Sequence, residues 1–387
     1  MIASAVRRAL FSLSLLLALT APVAAQDAAY ESTAREAILL DAKSGTVFYE
    51  KGADTPVPPA SMSKLMTVIL VIEALKAGKI TMDTEIPITE DAWRRGGAMS
   101  GGSTMYAELN SKVKLSDLIQ GIIVQSANDA CIAVATALAG SEAAFAERMT
   151  ERARALGLQK AVFRNSTGLP DPEHLMSVRE LAMLARHIIS TYPEYYKYYS
   201  EPSFTWNKIT QQNRNPLLID YPGADGMKTG YTKEAGYGLV GSAVRDNRRL
   251  ILVISGLPSL AERKKEAQRL LDWGFKQFRP VTAYAANDRV SRARIWGGTE
   301  GWVDLVTRSD IRILLSPAEQ DRVEASVLYT GPLIAPVSAG QQVGKLRITV
   351  DGRPISEFPV ETANSVAAVD SIWRKAIDSV KYMILGG

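Results

Sequence analysis

Residues 59–64 read PASMSK and place two serines next to one lysine, a combination that can support covalent catalysis. Residues three apart share one face of a helix, so Ser61 and Lys64 can meet if a helix begins at or near Ser61. A lysine can deprotonate a serine hydroxyl when burial or a second cation lowers its pKa enough to leave the amine neutral. The spacing therefore favours Ser61 over Ser63 as a nucleophile, with Lys64 as its base.

A second polar segment, residues 125–129 with the sequence QSAND, interrupts two apolar stretches of helical pattern. It places Ser126 and Asn128 where polar side chains can face a cleft. The alternative is an ordinary turn in which these two residues cap the next helix.

A third segment, residues 225–232 with the sequence DGMKTGYT, lies just before a predicted pair of strands. Gly230 has no side chain and allows another backbone or a ligand to approach the strand. Lys228 supplies a positive charge that can hold a substrate carboxylate and oppose protonation of Lys64. The alternative for Lys228 is a solvated lysine on a surface hairpin.

The three segments carry Ser-x-x-Lys, Ser-x-Asn and Lys-Thr-Gly in that order along the chain. About one Ser-x-x-Lys is expected by chance in a chain of this length, so no single segment is decisive. The ordered set is typical of penicillin-binding proteins and class A β-lactamases. The conjunction therefore predicts a serine site for acyl transfer.

The chain resembles the D-alanyl-D-alanine carboxypeptidases among the low-molecular-mass penicillin-binding proteins, peptidase family S11. The resemblance covers nearly the whole mature chain and is carried by PASMSKLMT, QSANDACIAVA, NRNPLL at residues 213–218 and DGMKTGYTKEAGYGLVGSA. It implies removal of the terminal D-alanine from peptidoglycan stem peptides through an acyl-enzyme, without a cofactor or a metal. It also implies that β-lactam antibiotics act as covalent inhibitors.

The resemblance assigns roles to the motif residues. Ser61 is the expected nucleophile and Lys64 the general base, while Ser126 and Asn128 relay protons and position the peptide. The expected substrate-binding residues are Lys228, Thr229, Gly230, Tyr231, Arg214 and Arg263.

Backbone N–H groups of Ser61 and Tyr231 are the expected oxyanion hole, whose donors typically contribute a few kcal/mol. Some family members carry His where this chain has Tyr231. We expect the protein to be active with Tyr231, because the backbone N–H of this residue, and not its side chain, stabilises the oxyanion.

The pattern predicts an α+β fold, a serine penicillin-recognising domain of the β-lactamase and transpeptidase type with an antiparallel sheet and helices. We expect a hairpin near residues 37–49, a buried helix over 65–75 and a capped helix over 177–190. A small all-β domain follows, since residues after 280 form short alternating segments separated by Gly, Pro and Asp. The predicted division is 1–25, signal peptide; 26–280, D,D-peptidase domain; 281–365, β domain; 366–387, C-terminal helix.

Sequence patterns at both ends of the chain predict where the protein is located in the cell. Residues 1–25 combine Arg7 and Arg8, a short apolar stretch and small residues before the cleavage point, which indicates export to the periplasm. Residues 366–387 include Trp373 and an apolar stripe opposite Arg374 and Lys375. This pattern favours a helix on the outer face of the cytoplasmic membrane over one packed on the β domain.

Composition argues against other kinds of site. The formal net charge is +4 and no run of Lys or Arg forms a nucleic-acid face, so nucleic acid is not an expected partner. Cys131 is the single cysteine and lies in an apolar run, which predicts a small buried hydrophobe and excludes an internal disulfide. With two histidines far apart, soft metal ligands are too few for a zinc site.

The sequence is also compatible with three other functions. A β-lactamase would need a carboxylate to activate the deacylating water, and Glu173 is the candidate between the second and third motifs. A D,D-endopeptidase would use the same motifs. A non-catalytic protein that binds the cell wall would not need Ser61.

Overall fold

The computed structural model describes residues 30–373, 376, 378 and 379. The chain divides into one unit over Met1–Glu31 and another over Ser32–Gly387, and every element below belongs to the second unit. The predicted signal peptide lies outside the described residues, as do most positions of the predicted helix after Trp373.

The N-terminal region is built around a five-stranded antiparallel sheet with the strand order β2-β1-β9-β8-β7. Two small hairpins, β3 with β4 and β5 with β6, lie outside this sheet. The strands are β1 Glu36–Asp41, β2 Val47–Lys51, β3 Glu85–Pro87, β4 Lys112–Lys114, β5 Ser203–Trp206, β6 Ile209–Gln212, β7 Ala224–Thr232, β8 Gly236–Arg245 and β9 Arg248–Leu257.

Helices make up most of the rest of this region, and short 3-10 turns and one π-helical turn, Gly121–Gln125, join some of them. The helices are α1 Lys64–Lys76, α2 Glu90–Gly96, α3 Leu115–Gln120, α4 Asn128–Ala139, α5 Glu142–Ala155, α6 Val178–Thr191, α7 Pro193–Tyr196, α8 Leu217–Asp220 and α9 Leu260–Gln277. Ser177 and Glu180 form the predicted capping box at the start of α6.

Both faces of the central sheet are covered, and the six middle residues of both β8 and β9 are accordingly all buried. Ile251 and Val253 belong to the core that includes α1, α4 and α6. Alternate residues point to the opposite face, where α9 packs: a Cβ on Gly274 would lie 2.4 Å from Leu39 and 3.0 Å from Leu250. The sheet is thereby held between two helical layers.

The C-terminal region is formed by strands and has its own hydrophobic core, which includes Ile295, Leu305 and Ile348. A six-stranded sheet has the order β14-β16-β17-β12-β11-β15, and β10 pairs with β13. The strands are β10 Arg279–Tyr284, β11 Arg289–Trp296, β12 Trp302–Val306, β13 Ile311–Leu315, β14 Val323–Tyr329, β15 Leu333–Ile334, β16 Gln342–Val350 and β17 Arg353–Thr362. The predicted boundary after residue 280 falls just inside β10.

Among the described residues, no single helix is both long and apolar enough to cross a membrane, and α4 and α5 pass that test only as a pair bent by 83°. Of the predicted C-terminal helix, Trp373 is described and is 79% exposed. Nearby, the Asp378 carboxylate accepts a hydrogen bond from the Gly297 N–H at 3.2 Å, and Trp296 Nε1 donates to Ser379 Oγ at 3.1 Å.

Candidate active site

Ser61 lies in a short 3-10 turn, Ala60–Ser63, that leads directly into α1. Ala60 adopts a φ of 50°, a left-handed conformation that is strained for a residue with a side chain. The Ser63 hydroxyl donates to the Ala60 carbonyl at 3.0 Å, inside the turn. The Ser61 hydroxyl instead lies 2.8 Å from Lys64 Nζ, so the two serines have different surroundings.

Lys64 Nζ is fully buried and has three partners in the described part of the chain: Ser61 Oγ at 2.8 Å, Asn128 Oδ1 at 2.8 Å and the Thr167 carbonyl at 2.5 Å. Amide and carbonyl oxygens can only accept hydrogen bonds. A neutral amine has two N–H groups for these two oxygens, and its lone pair is then left for the Ser61 hydroxyl. The geometry therefore suits a lysine that takes a proton from Ser61.

The surroundings of Lys64 make its amine easier to deprotonate than that of an ordinary lysine. Burial lowers the pKa of Lys64 to about 8, and the positive charge of Arg214 acts in the same direction. Lys228 is also buried, and its pKa is lowered well below the ordinary value by burial and then by repulsion from Lys64. Each of these two buried lysines is therefore easier to deprotonate than an ordinary lysine, and a proton on one disfavours a proton on the other.

The π-helical turn Gly121–Gln125 positions the second motif. Ser126 follows it with a φ of 62°, in the left-handed region, and its buried hydroxyl has no hydrogen-bond partner among the described residues. Asn128 opens α4, and its backbone N–H donates to the Ser103 carbonyl at 2.8 Å. The structure thus brings Asn128 against Lys64 and leaves the Ser126 hydroxyl available to a ligand.

The Lys-Thr-Gly motif lies on β7, one of the two edge strands of the central sheet. A Cβ on Gly230 would lie 2.9 Å from the Pro59 carbonyl and 3.2 Å from Ala60 Cβ, so only glycine allows β7 to pack this closely against the turn of Ser61. Lys228 Nζ donates to the Thr229 carbonyl at 3.2 Å. An edge strand also leaves one row of backbone groups for a peptide to pair with.

These elements surround a cleft of ≈ 620 Å³. It is lined by Ser61, Ser126, Arg214, Thr229, Gly230, Tyr231 and Arg263, together with Gly101, Gly102, Ser103, Tyr237 and Leu260. No Asp or Glu is among these lining residues in the described part of the chain. The cleft is therefore suited to an anionic ligand.

The two predicted arginines both line the cleft, and Arg263 Nη2 donates to the Arg214 carbonyl at 3.5 Å. Arg214 Nη1 donates to Ser103 Oγ at 2.5 Å. Arg263 is 5% exposed, and its Nε has no hydrogen-bond partner among the described residues. Burial lowers the pKa of Arg263 to about 10, which still leaves the guanidinium charged at neutral pH. An anion in the cleft can meet both cations.

Tyr231 is 55% exposed and stacks on Tyr237, with ring centroids 4.3 Å apart. Tyr237 in turn faces the Arg263 guanidinium at 5.8 Å. The side chain of Tyr231 thus forms part of the mouth of the cleft, while its backbone N–H lies next to Gly230, where β7 meets the turn of Ser61.

Sequence reasoning missed the Thr167 carbonyl, the stretch from Gly101 to Ser103, and the lining residues Tyr237 and Leu260. The Thr167 carbonyl contacts Lys64, and a backbone oxygen carries no signal in residue types. The run of small residues from Gly101 to Ser103 forms one wall of the cleft, and this glycine-rich stretch was the available signal. Glu173, the carboxylate considered for a β-lactamase, does not line the cleft: its side chain is 71% exposed and paired with Arg164 at 3.1 Å. Cys131 is buried, as predicted.

Comparison with known families identifies the chain. Residues 22–259 match the family model described as D-alanyl-D-alanine carboxypeptidase, and residues 278–368 match the C-terminal domain of penicillin-binding protein 5. The chain belongs to the D-alanyl-D-alanine carboxypeptidase family. The predicted fold class, a penicillin-recognising α+β domain followed by a small all-β domain, is confirmed for these two parts.

Relatives in this family match the chain over most of its length. The D-alanyl-D-alanine carboxypeptidase DacA of Haemophilus influenzae is 38% identical over 355 residues, which is 90% of each chain. The D-alanyl-D-alanine carboxypeptidase DacD of Escherichia coli is 38% identical over 332 residues, covering 85% of this chain and 86% of the relative.

Solved structures of penicillin-binding proteins are also similar to this chain. The structure of penicillin-binding protein 5 from Haemophilus influenzae is 38% identical, with a TM-score of 0.75, and the match covers 87% of this chain and 98% of that one. Penicillin-binding protein D2 from Listeria monocytogenes, solved in an ampicillin-bound form, is 30% identical with a TM-score of 0.58, over 64% of this chain and 99% of that one.

Proposed function

We propose that the protein is a serine-type D-alanyl-D-alanine carboxypeptidase that removes the terminal D-alanine from peptidoglycan stem peptides. The observation that carries the proposal is the contact between the Ser61 hydroxyl and a buried lysine amine that has two other acceptors. Membership of the family supports the same activity.

In the acylation step, neutral Lys64 takes the proton of Ser61 as Ser61 Oγ attacks the carbonyl carbon of the penultimate D-alanine. The backbone N–H groups of Ser61 and Tyr231 stabilise the oxyanion. The close packing at Gly230 supports this pairing, because it brings β7 against the turn of Ser61. The peptide bond breaks, the leaving amine takes a proton through Lys64 and Ser126, and D-alanine departs.

Deacylation repeats the chemistry with water. The ester carbonyl of the acyl-enzyme is attacked by a water that gives its proton to the same lysine, and Ser61 recovers its proton as the shortened stem leaves. Asn128 keeps Lys64 in place through its Oδ1 and contributes to positioning the peptide.

The terminal carboxylate of the substrate binds to Thr229, Arg214 and Arg263, which line the cleft, and to Lys228, which is buried next to Thr229. A bound carboxylate favours the proton on Lys228, and repulsion then favours neutral Lys64. Substrate binding therefore promotes the protonation state that acylation needs.

The alternatives are less well supported. A β-lactamase of the kind considered above needs a carboxylate near the acyl group, and Glu173 is exposed and paired with Arg164. β-Lactams bind this enzyme as covalent inhibitors on Ser61, a role consistent with the ampicillin-bound relative. A D,D-endopeptidase activity has no observation of its own in its favour.

The proposed location is the periplasm, on the outer face of the cytoplasmic membrane. The signal pattern of residues 1–25 supports export, and the amphipathic pattern of residues 366–387 supports peripheral attachment.

Release of D-alanine from a pentapeptide stem, measured for wild-type protein, Ser61→Ala and Ser63→Ala, tests the proposed function. We expect release by the wild type, loss in Ser61→Ala, and retention in Ser63→Ala because that hydroxyl bonds within its own turn. Intact mass after benzylpenicillin should show a long-lived adduct that is absent in Ser61→Ala. D-alanine release by Ser61→Ala, or rapid destruction of the drug without an adduct, would contradict the proposal.

A further inference from the structure

The Thr167 carbonyl, which accepts a hydrogen bond from Lys64 Nζ, belongs to a buried turn formed by residues 165–169. Asn165 Oδ1 accepts from the Thr167 N–H at 3.1 Å, the Thr167 hydroxyl at 2.9 Å and the Gly168 N–H at 2.7 Å, and Asn165 Nδ2 donates to the Leu169 carbonyl at 3.0 Å. These bonds hold the Thr167 carbonyl, which takes a hydrogen bond from Lys64 Nζ. The turn therefore sets the orientation of the lysine.

Two helices hold the preceding residue of this turn. From α1, the Thr67 hydroxyl donates to the Ser166 carbonyl at 2.7 Å. From the first turn of α5, Glu142 Oε1 accepts from the Ser166 N–H at 3.0 Å and from the Ser166 hydroxyl at 2.7 Å. Glu142 Oε2 pairs with Arg95 at 2.8 Å.

Glu142 is 8% exposed and has no part in the chemistry described above. An acidic side chain is seldom buried to this degree unless its charge is paired and hydrogen-bonded, and Glu142 meets this condition through Arg95 and Ser166. Its hydrogen bonds to the turn are made with Ser166, the residue before Thr167, whose carbonyl contacts Lys64.

We propose that Glu142 is a positioning residue for Lys64, acting through the turn of residues 165–169 and through its negative charge. The proposal rests on the proposed function, in which Lys64 is the base. The mechanical part comes from the bonds to Ser166, and the electrostatic part comes from a buried carboxylate near a buried lysine.

Several other titratable and charged groups also act on the pKa of Lys64. The titratable and charged groups that act on it are Asp129 and Cys131 from α4, Glu142 from α5, Lys228 from β7, and Arg214 and His174 from loops. Glu142 favours the protonated amine and so raises the pKa of Lys64, in opposition to burial and to Arg214. Removal of this charge lowers the pKa, and Lys64 is then neutral at lower pH.

Two substitutions separate the parts. Glu142→Gln keeps an oxygen for Ser166 and removes the charge, whereas Glu142→Ala removes both. Glu147, on the exposed side of the same helix, supplies the matched control Glu147→Gln. The measurement is the second-order rate of acylation by benzylpenicillin as a function of pH, with thermal unfolding recorded for each variant.

We expect Glu142→Gln to move the acid limb of the profile to lower pH by about half a unit, with a plateau close to that of the wild type. Glu142→Ala should lower the plateau about 10- to 100-fold, because the lysine is misplaced. Glu147→Gln should match the wild type in both respects.

An acid limb in Glu142→Gln that coincides with those of the wild type and Glu147→Gln overturns the electrostatic part. A plateau in folded Glu142→Ala equal to the wild type overturns the mechanical part. If that variant does not fold, Ser166→Ala, which removes the hydroxyl that donates to Glu142, tests the mechanical part in its place, and a plateau equal to the wild type overturns it. A wild-type protein that is not acylated on Ser61 refutes the proposed function itself, which is a distinguishable result.

Discussion

The rate of acylation of the wild-type enzyme should depend on pH in a way set by Lys64. Only the neutral amine can accept the proton of Ser61, and burial lowers the pKa of Lys64 to about 8. Because the active form is the deprotonated one, the rate rises as pH rises through that value. A fall in pH protonates the amine and removes the base.

The magnitude follows from the fraction of neutral lysine. With a pKa of about 8, this fraction is about one tenth at pH 7 and about nine tenths at pH 9, so acylation should accelerate about tenfold. An ordinary lysine with a pKa of 10.5 would be neutral in only about one molecule in 3000 at pH 7. Burial of Lys64 therefore contributes a factor of about 300 at neutral pH.

The assay is rapid-quench acylation by benzylpenicillin at limiting drug, followed by intact mass, over about pH 6 to 10. Under these conditions the profile reports the free enzyme. The carboxylate of the drug stays ionised throughout, and circular dichroism at each pH checks that the fold persists. A rate that is flat or that falls between pH 7 and pH 9 would refute the assignment of Lys64 as the base.

Two further predictions concern other parts of the chain. Gly168→Ala should lower the free energy of unfolding by about 2–5 kcal/mol and slow acylation, because Gly168 has a φ of 76° and the new Cβ would lie 2.0 Å from the Ala60 carbonyl. Gly157→Ala is the control in urea unfolding, since its φ is 82° with nothing within 4 Å, and equal effects of the two changes would contradict the packing argument. Deletion of residues 367–387 should release the protein from membrane fractions, and unchanged sedimentation would count against the anchor.

Much of the fold could be read from sequence because the patterns are local. The apolar run of α1, the capping box at Ser177 and the turn between β8 and β9 each depend on neighbouring residues. The helix start was less accessible: the predicted helical spacing of Ser61 and Lys64 is realised by a 3-10 turn followed by an α-helix.

The site was only partly accessible to such reasoning. Ser126 could be predicted as a site residue from its motif. Its left-handed backbone, however, follows a π-helical turn, which no local sequence pattern predicts. The contacts of Thr167 and Glu142 depend on backbone atoms and on segments far apart in the chain. Residue types indicate which side chains can react, whereas tertiary packing decides which groups hold them.

Lys64 is held by segments that are 64 and 103 residues away along the chain, and its nearest reactive partner depends on that arrangement. A chain that has formed its helices but has not docked residues 165–169 would have a solvated, protonated lysine and an unreactive serine. Covalent labelling by a fluorescent penicillin therefore counts molecules in which the segments around Lys64 have packed, rather than total protein. The antibiotic becomes a quality-control reagent for the folding of this enzyme.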